Sequence, residues 1–171
     1  RSSAASDVYK RQDYNFTNFQ AILLGSDQGR KVYSKKLNSL VERYSLTKKV
    51  KFINHCREMP LAYSLADVVV SASVEPEAFG RVAVESQSMG KPIIASNIGG
   101  SKETVLNRKS GFLYKHDDPR ELAKNLNTVT QLSQEQLKLM GNEGRKNITK
   151  KFDVEIMCDS NLREYKKLLK K

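Results

Sequence analysis

Two glutamates, Glu77 and Glu85, stand with seven residues between them in the stretch EPEAFGRVAVES, residues 75–86. The residues around Glu85 are small or apolar, and a carboxylate on a half-buried stretch needs hydrogen-bond donors. The hydroxyl groups of a sugar or a ribose are suitable donors, because an ionised carboxylate only accepts hydrogen bonds and hydroxyls donate in pairs. The pair therefore indicates a polyol site. Its spacing alone favours a simpler interpretation, in which both acids are solvated or paired with Arg81 or Lys91.

Gly80 lies where this loop is expected to become a helix over residues 80–89, which ends at Gly90. Glycine has no Cβ atom and lets the backbone approach a ligand closely. The first N–H groups of a helix have no intrahelical acceptor and carry partial positive charge, which suits phosphate. The stretch thus combines features of an anion site and a polyol site. The alternative is an ordinary helix start at which Gly80 is only the cap.

A second loop, NIGG at residues 97–100, repeats this design. Two glycines before a helix allow a close backbone approach or a sharp turn. The short helix that follows is predicted to use Ser101 as its N-cap. Glu103 is either a second acid that faces a ligand or a first-turn acid that complements the helix dipole. His55, after a predicted strand, either contacts a base or sugar or faces solvent.

Short apolar runs alternate with amphipathic helical patterns along the chain. Such alternation predicts an α/β fold with a parallel sheet and helices on both faces. Because the carboxyl ends of parallel strands meet at one edge, where ligands bind, we expect the loops at residues 25–29, 73–80 and 97–100 to converge there. Asp118 and Pro119 predict the start of a later helix. The first helix is predicted to pack through Val32, Leu37, Leu40, Val41 and Tyr44.

Composition restricts the classes of partner. The formal net charge of +11 suggests an anionic partner, which could be nucleic acid, a nucleotide or an acidic membrane surface, although scattered lysines fit compositional bias equally well. No recognition-helix, RNA-sheet or zinc-finger pattern is present, so nucleic acid is not expected. His55, His116, Cys56 and Cys158 lack metal-ligand spacing, and no dinucleotide or P-loop motif occurs. We therefore expect no metal and no cofactor, and a location in the reducing cytoplasm.

The run DVVVSASVEPEAFGRVAVESQSMGKPIIASNIGGSKETVLNRKSGFLYKHDDPRELAKNL, residues 67–126, combines these features in order. It resembles the carboxyl-terminal domain of retaining glycosyltransferases of the GT-B fold, family 4. The E-x7-E pair alone is weak evidence for this family. The resemblance becomes specific because the pair is followed in order by the GKPIIAS strand, the GG…E turn, the SGFLY strand and the DDPRELA helix. KKFDVE matches the start of the last helix, so the resemblance covers nearly all of residues 19–171. It implies a Rossmann-like domain that binds a nucleoside-diphosphate sugar.

The resemblance also implies roles for single residues. Glu77 matches the catalytic glutamate that contacts donor-sugar hydroxyls near the reacting carbon, and Glu85 matches the glutamate that holds the ribose hydroxyls. Backbone amides between them match the segment that meets the sugar and the diphosphate. The loop around Ile53 and Asn54 matches the border of the nucleobase. The implied donor-binding set is Glu77, Ala78, Phe79, Gly80, Arg81, Val82, Glu85, Ile53 and Asn54.

By this resemblance the protein transfers a sugar from a nucleoside-diphosphate sugar to an acceptor, with retention of anomeric configuration and without a metal. The expected acceptor is a cell-envelope polysaccharide or a lipid-linked glycan. A basic surface would favour peripheral contact with anionic lipid at the inner face of the cytoplasmic membrane. Two alternatives remain open: a sugar-nucleotide epimerase or phosphorylase of the same fold, and a non-catalytic module that binds a nucleotide or nucleic acid.

The chain is expected to fall into two parts. Residues 1–12, RSSAASDVYKRQ, show no hydrophobic period and resemble a translated adapter or cloning junction. Residues 13–171 are expected to form the sugar-nucleotide-binding domain, with a closing helix at 152–171. Compared with the family, this domain lacks a first strand and helix, which carry an Arg and a Lys that hold the diphosphate, and the amino-terminal domain that binds the acceptor. We therefore expect a donor-site fragment with little transferase activity alone.

Overall fold

The computed structural model describes residues 19–169, so the predicted adapter and the last two residues of the predicted closing helix lie outside the described range. Strands and helices alternate as far as the fifth strand, and three longer helices follow. In chain order the elements are β1 (Ala21–Leu24), α1 (Lys31–Arg43), β2 (Val50–Ile53), α2 (Met59–Leu65), β3 (Val69–Ser71), α3 (Arg81–Ser88), β4 (Ile93–Ser96), α4 (Ser101–Thr104), β5 (Gly111–Tyr114), α5 (Pro119–Thr130), α6 (Gln134–Lys151) and α7 (Val154–Leu168).

The described strands are all parallel and form two sheets. β1 pairs with β2 in the register Ala21↔Val50. β4 lies between β3 and β5 in the second sheet. The predicted fold class, parallel strands with helices on both faces, is confirmed. The strands are divided between two sheets because no described strand pairs with both β1 and β3.

β4 is buried along its whole length. Ile94 belongs to a cluster with Tyr114 of β5 and apolar side chains of α5 and α6. Ile93 and Ala95 point to the opposite face, because side chains alternate along a strand, and they pack with Ala83 of α3. Helices therefore cover both faces of this strand, as is typical of parallel sheets.

A third, smaller cluster of buried residues forms the core of the β1–α1–β2 unit and consists of Val41, Leu46 and Val50. The predicted packing face of α1 is wrong at Val32, whose side chain is 85% exposed. Each residue of a helix is rotated by about 100° from the one before, so the stripe through Leu37 and Val41 continues through Tyr33, which is half-buried. Val32 lies on the opposite side of the helix from Val41.

Asp118 caps α5, as the sequence predicted. Its side chain accepts hydrogen bonds from the backbone amides of Arg120 and Glu121 at 2.9 and 3.1 Å, and Pro119 is the first helical residue. Asp153 begins α7 in the same way. Both helices start where a side-chain oxygen satisfies an amide that has no intrahelical acceptor.

Candidate functional site

The loop between β3 and α3 borders an open cavity of about 450 Å³ on the surface of the molecule. Glu77 is exposed in this loop, and its carboxylate accepts a hydrogen bond from the Ser73 hydroxyl. The cavity lining includes Val70, Ser71, Glu75, Pro76, Glu77 and Val82. Apolar side chains and carboxylates thus face the same space, beside the start of α3.

The loop at residues 97–100 packs directly against the backbone of the Glu77 loop. The Gly100 N–H donates a hydrogen bond to the Glu77 carbonyl at 2.9 Å. A Cβ atom at Gly99 would clash with the backbone of Glu77, and one at Gly100 would clash with that of Phe79. Of the two possibilities that the sequence left open, the glycines permit a close backbone approach, and its partner is the first loop.

Gly80 turns the chain into α3. Its φ of +73° lies in the left-handed region that favours glycine, and a Cβ atom there would lie 3.3 Å from the hydroxyl oxygen of Ser101. The predicted Ser101 cap is wrong: Gly100 occupies the N-cap of α4, and Ser101 is a buried helical residue whose hydroxyl lies beside Gly80. Because α3 begins at Arg81, the amides of Arg81 and Val82 have no intrahelical acceptor.

Glu85 lies in the second turn of α3, and its side chain is 33% exposed. Its Oε1 accepts hydrogen bonds from Nη2 and Nε of Arg81 at 2.8 and 3.1 Å. Its Oε2 accepts a hydrogen bond from the Tyr63 hydroxyl at 2.9 Å. The pairing with Arg81 that the sequence left open as an alternative is therefore present, together with a partner from another helix.

Tyr63 is a site residue that the sequence did not indicate. It lies in α2 and is 6% exposed. Burial raises the pKa of its hydroxyl well above the ordinary value, the hydrogen bond to Glu85 and the charge of Glu85 act in the same direction, and the Arg81 guanidinium opposes them. Tyr63 therefore stays a hydrogen-bond donor at physiological pH. The only signal in the sequence is that a tyrosine on an apolar helix needs a partner for its hydroxyl.

Ile53 and Asn54 lie at the carboxyl end of β2, in the other sheet. The Ile53 side chain is 41% exposed, and its carbonyl accepts a hydrogen bond from the Gly25 N–H at 2.9 Å. Asn54 and the adjacent His55 are exposed. Within residues 19–169, no hydrogen bond joins Ile53 or Asn54 to the Glu77 loop. The structure thus brings Glu77 to Val82 and Glu85 together around one helix start, and it places the other two residues beside the Gly25 loop.

Phe79 links the Glu77 loop to the junction of α6 and α7. Its ring meets the Phe152 ring edge-on, with centroids 5.9 Å apart and an interplanar angle of 62°, a favourable geometry for aromatic pairs. Phe79 is still 45% exposed. The candidate site therefore touches the carboxyl-terminal helices, a contact that the sequence did not indicate.

No group of three or more His, Cys, Asp or Glu side chains within residues 19–169 is arranged to hold a metal ion. In the same range, every helix is too short or too polar to span a membrane.

Residues 3–147 match the family model described as Glycosyl transferases group 1. Among curated proteins, the D-inositol 3-phosphate glycosyltransferase of Corynebacterium urealyticum is 32% identical over 123 residues, and the match covers 70% of this chain and 28% of that protein. The chain therefore spans less than a third of the length of this relative.

Two solved structures are similar over most of the described residues. A glycosyltransferase from Rickettsia africae has a TM-score of 0.86 at 28% identity, and the match covers 97% of this chain and 43% of that chain. HepE of Anabaena, solved in complex with UDP, has a TM-score of 0.82 at 29% identity, and the match covers 87% of this chain and 41% of the HepE chain. In both cases this chain corresponds to less than half of the larger protein.

Proposed function

Because the chain belongs to the group 1 glycosyl transferases, we propose that it forms the donor-binding half of an enzyme that transfers a sugar from a nucleoside-diphosphate sugar to an acceptor, with retention of anomeric configuration. The position of α3 is the observation that carries this proposal. The helix begins beside a cavity of about 450 Å³, with Glu77 in the loop before it and Glu85 in its second turn.

In this proposal the two glutamates bind the two polyol parts of the donor. Glu77 accepts hydrogen bonds from the donor sugar, Glu85 accepts them from the ribose, and the backbone of residues 78–82 binds the diphosphate between them. Carboxylate, amides and carboxylate thus follow one another along the chain in the same order as sugar, diphosphate and ribose in the donor. Ile53 and Asn54 would border the base.

The proposed reaction breaks the bond between the anomeric carbon and the diphosphate oxygen. The acceptor oxygen forms a new bond to that carbon on the face from which the diphosphate leaves, and its proton passes to the departing diphosphate oxygen. Positive charge develops on the sugar and negative charge on the leaving diphosphate. The first amides of α3 and the Arg81 side chain, which is 83% exposed, would stabilise the leaving group more in the transition state than in the ground state. As the family resemblance implies, protein groups perform this task in the proposed reaction, without a metal or a cofactor.

The match covers only 28% of the length of the curated relative. The acceptor is therefore proposed for the whole protein and not for this chain alone. We propose a cell-envelope polysaccharide or a lipid-linked glycan, bound by a second domain. We also propose a cytoplasmic enzyme with peripheral contact to anionic lipid, which the formal net charge of +11 supports.

Calorimetric titration of the chain with UDP, GDP and ADP tests the donor site. We expect saturable binding of at least one of them, and we expect Glu85→Ala to weaken that binding about tenfold, because the ribose hydroxyls lose a charged acceptor. Glu42→Ala, the same change at an exposed position of α1, is the matched control and should bind like the wild-type chain. A folded chain that binds none of the three diphosphates would contradict the proposed function.

A further inference from the structure

The two oxygens of the Glu85 carboxylate have unlike partners. Oε2 accepts from Tyr63, which is 6% exposed and lies on another helix, α2. Oε1 accepts from Arg81, which is 83% exposed and lies one turn earlier on α3 itself. One partner is thus fixed by the packing of the fold, and the other is a solvated side chain.

The two partners differ in how easily a ligand displaces them. An exposed ion pair one helical turn apart contributes little free energy, because solvent screens the charges and two long side chains must be held in one geometry. A buried hydroxyl that loses its acceptor is left unpaired, which is costly. A ligand hydroxyl that reaches Glu85 will therefore replace Arg81 at Oε1, while Tyr63 remains at Oε2.

We infer that Tyr63 is a positioning residue for the ribose: its hydroxyl holds the Glu85 carboxylate in the orientation that receives a vicinal diol, and Arg81 occupies the open oxygen until the diol arrives. This inference rests on the proposed function, since it takes a ribose as the ligand of Glu85. Each carboxylate oxygen accepts two hydrogen bonds, so Oε2 accepts one ribose hydroxyl beside Tyr63 and Oε1 accepts the other. A carboxylate already held in place loses less side-chain entropy when the ligand binds.

The protonation state of Tyr63 agrees with this role. The ordinary pKa of a tyrosine hydroxyl already lies above the physiological range, and burial and the neighbouring Glu85 charge raise the pKa of Tyr63 further. The proton stays on the tyrosine, and the charge of Glu85 remains available to the ligand.

The test compares UDP with 2′,3′-dideoxyuridine diphosphate, which lacks the diol. By calorimetry, Tyr63→Phe should weaken UDP binding about five- to tenfold and leave the affinity for the dideoxy compound unchanged, because only UDP uses the positioned carboxylate. Tyr165→Phe removes the same hydroxyl at a position that is 63% exposed on α7, and it should bind both ligands like the wild-type chain. If the first titrations select GDP or ADP, the same pair of compounds is used with that base.

Two further variants separate positioning from a general structural effect. In a Glu85→Ala background, Tyr63→Phe should cause no further loss of UDP affinity, because the two side chains act through one contact. Glu85→Asp leaves Tyr63 intact but shortens the side chain by one methylene, which withdraws the carboxylate from the Tyr63 hydroxyl. In this background too, Tyr63→Phe should cause no further loss of UDP affinity, because the contact through which Tyr63 acts is already lost.

Several outcomes would overturn the inference while the proposed function stands. These are an equal loss of affinity for both ligands in the Tyr63→Phe chain, an additive loss of UDP affinity when Tyr63→Phe is combined with either Glu85 variant, and wild-type UDP affinity in the folded Tyr63→Phe chain. Failure of the wild-type chain to bind UDP, GDP and ADP would instead overturn the proposed function, and the inference with it.

Discussion

A carboxylate that binds hydroxyl groups must be accessible and yet held in one orientation. Glu85 meets both conditions, since its side chain is 33% exposed and Tyr63 donates to it at 2.9 Å. Glu77 is exposed as well, and the Ser73 hydroxyl donates to it. In both cases a neutral hydroxyl orients the carboxylate without neutralising it, so its charge remains available to strengthen hydrogen bonds from a ligand.

The buried hydroxyl of Tyr63 predicts a pH dependence of stability. Burial raises its pKa in the folded state, while the unfolded chain loses this proton near the ordinary pKa of about 10. Above that pH the folded state binds more protons than the unfolded state, so the free energy of unfolding falls as pH rises. The free energy of unfolding is measured by chemical denaturation at about pH 8 and about pH 11, on either side of the ordinary tyrosine pKa. Between these two pH values it should fall less for Tyr63→Phe than for the wild-type chain.

Tyr165→Phe again provides the control, because this tyrosine is 63% exposed. It should keep the wild-type loss of stability at alkaline pH. If the Tyr63→Phe and Tyr165→Phe chains lose as much stability as the wild-type chain, Tyr63 is not buried as the structure has it.

Among the elements, α3 is fixed at both ends. Its start is held by the contact of Gly100 with the Glu77 loop. Beyond its end, Gly90 packs against Gly141 of α6, where a Cβ atom would clash with the Gly90 carbonyl. One turn further along α6, Gly144 contacts the side chain of the buried Gln87. The helix that carries the proposed ribose and phosphate contacts is therefore positioned by close contacts with neighbouring backbone.

Gly141→Ala tests the contact between α3 and α6. Alanine in place of glycine inside a helix ordinarily stabilises it by about 1 kcal/mol. Here the added Cβ meets the Gly90 backbone, and overpacking of this kind costs about 1–3 kcal/mol. We expect the free energy of unfolding, measured by chemical denaturation, to fall. Asn142→Ala, at the exposed neighbouring position, should not lower it. A Gly141→Ala chain more stable than wild type would contradict the close contact.

The sequence was sufficient for most elements because their signals are local. Asp118 caps α5 as predicted, and the predicted helix after Gly80 is present. The contacts of Tyr63 with Glu85 and of Ser101 with Gly80 join positions that lie far apart along the chain, and no local pattern encodes them. The donor-site roles came from the family resemblance, since two acids at this spacing do not by themselves distinguish a ligand site from an ion pair.

At the scale of the whole molecule, the proposed donor-binding residues belong to two units, each with its own hydrophobic core. Ile53 and Asn54 follow the β1–α1–β2 unit, whose core is formed by its own residues. Glu77 and Glu85 flank the start of α3, which packs on the β3–β4–β5 sheet through Ala83. A donor nucleotide that contacts both sets would connect two units that share no core cluster among residues 19–169, and its binding would stabilise their relative positions.

Net charge predicts behaviour at a lipid surface. With a formal charge of +11, the chain should sediment with vesicles that contain anionic phosphatidylglycerol and should remain in solution with neutral phosphatidylcholine vesicles. Raising the salt concentration to about 0.5 M should release the chain, because screening then shortens the range of the attraction. Sedimentation that is the same for anionic and neutral vesicles would contradict the proposed membrane contact.

The contact between Gly100 and the Glu77 loop joins main-chain atoms, the N–H of one and the carbonyl of the other. Such a contact does not depend on which side chains the loop carries. Ala78 is exposed, so mutation is free to exchange it while the loop keeps its path, provided that Gly99 and Gly100 are retained, whereas the Phe79 ring also contacts Phe152. Under the proposed function, a substitution at Ala78 would change the surroundings of the donor without insertions or a rebuilt loop.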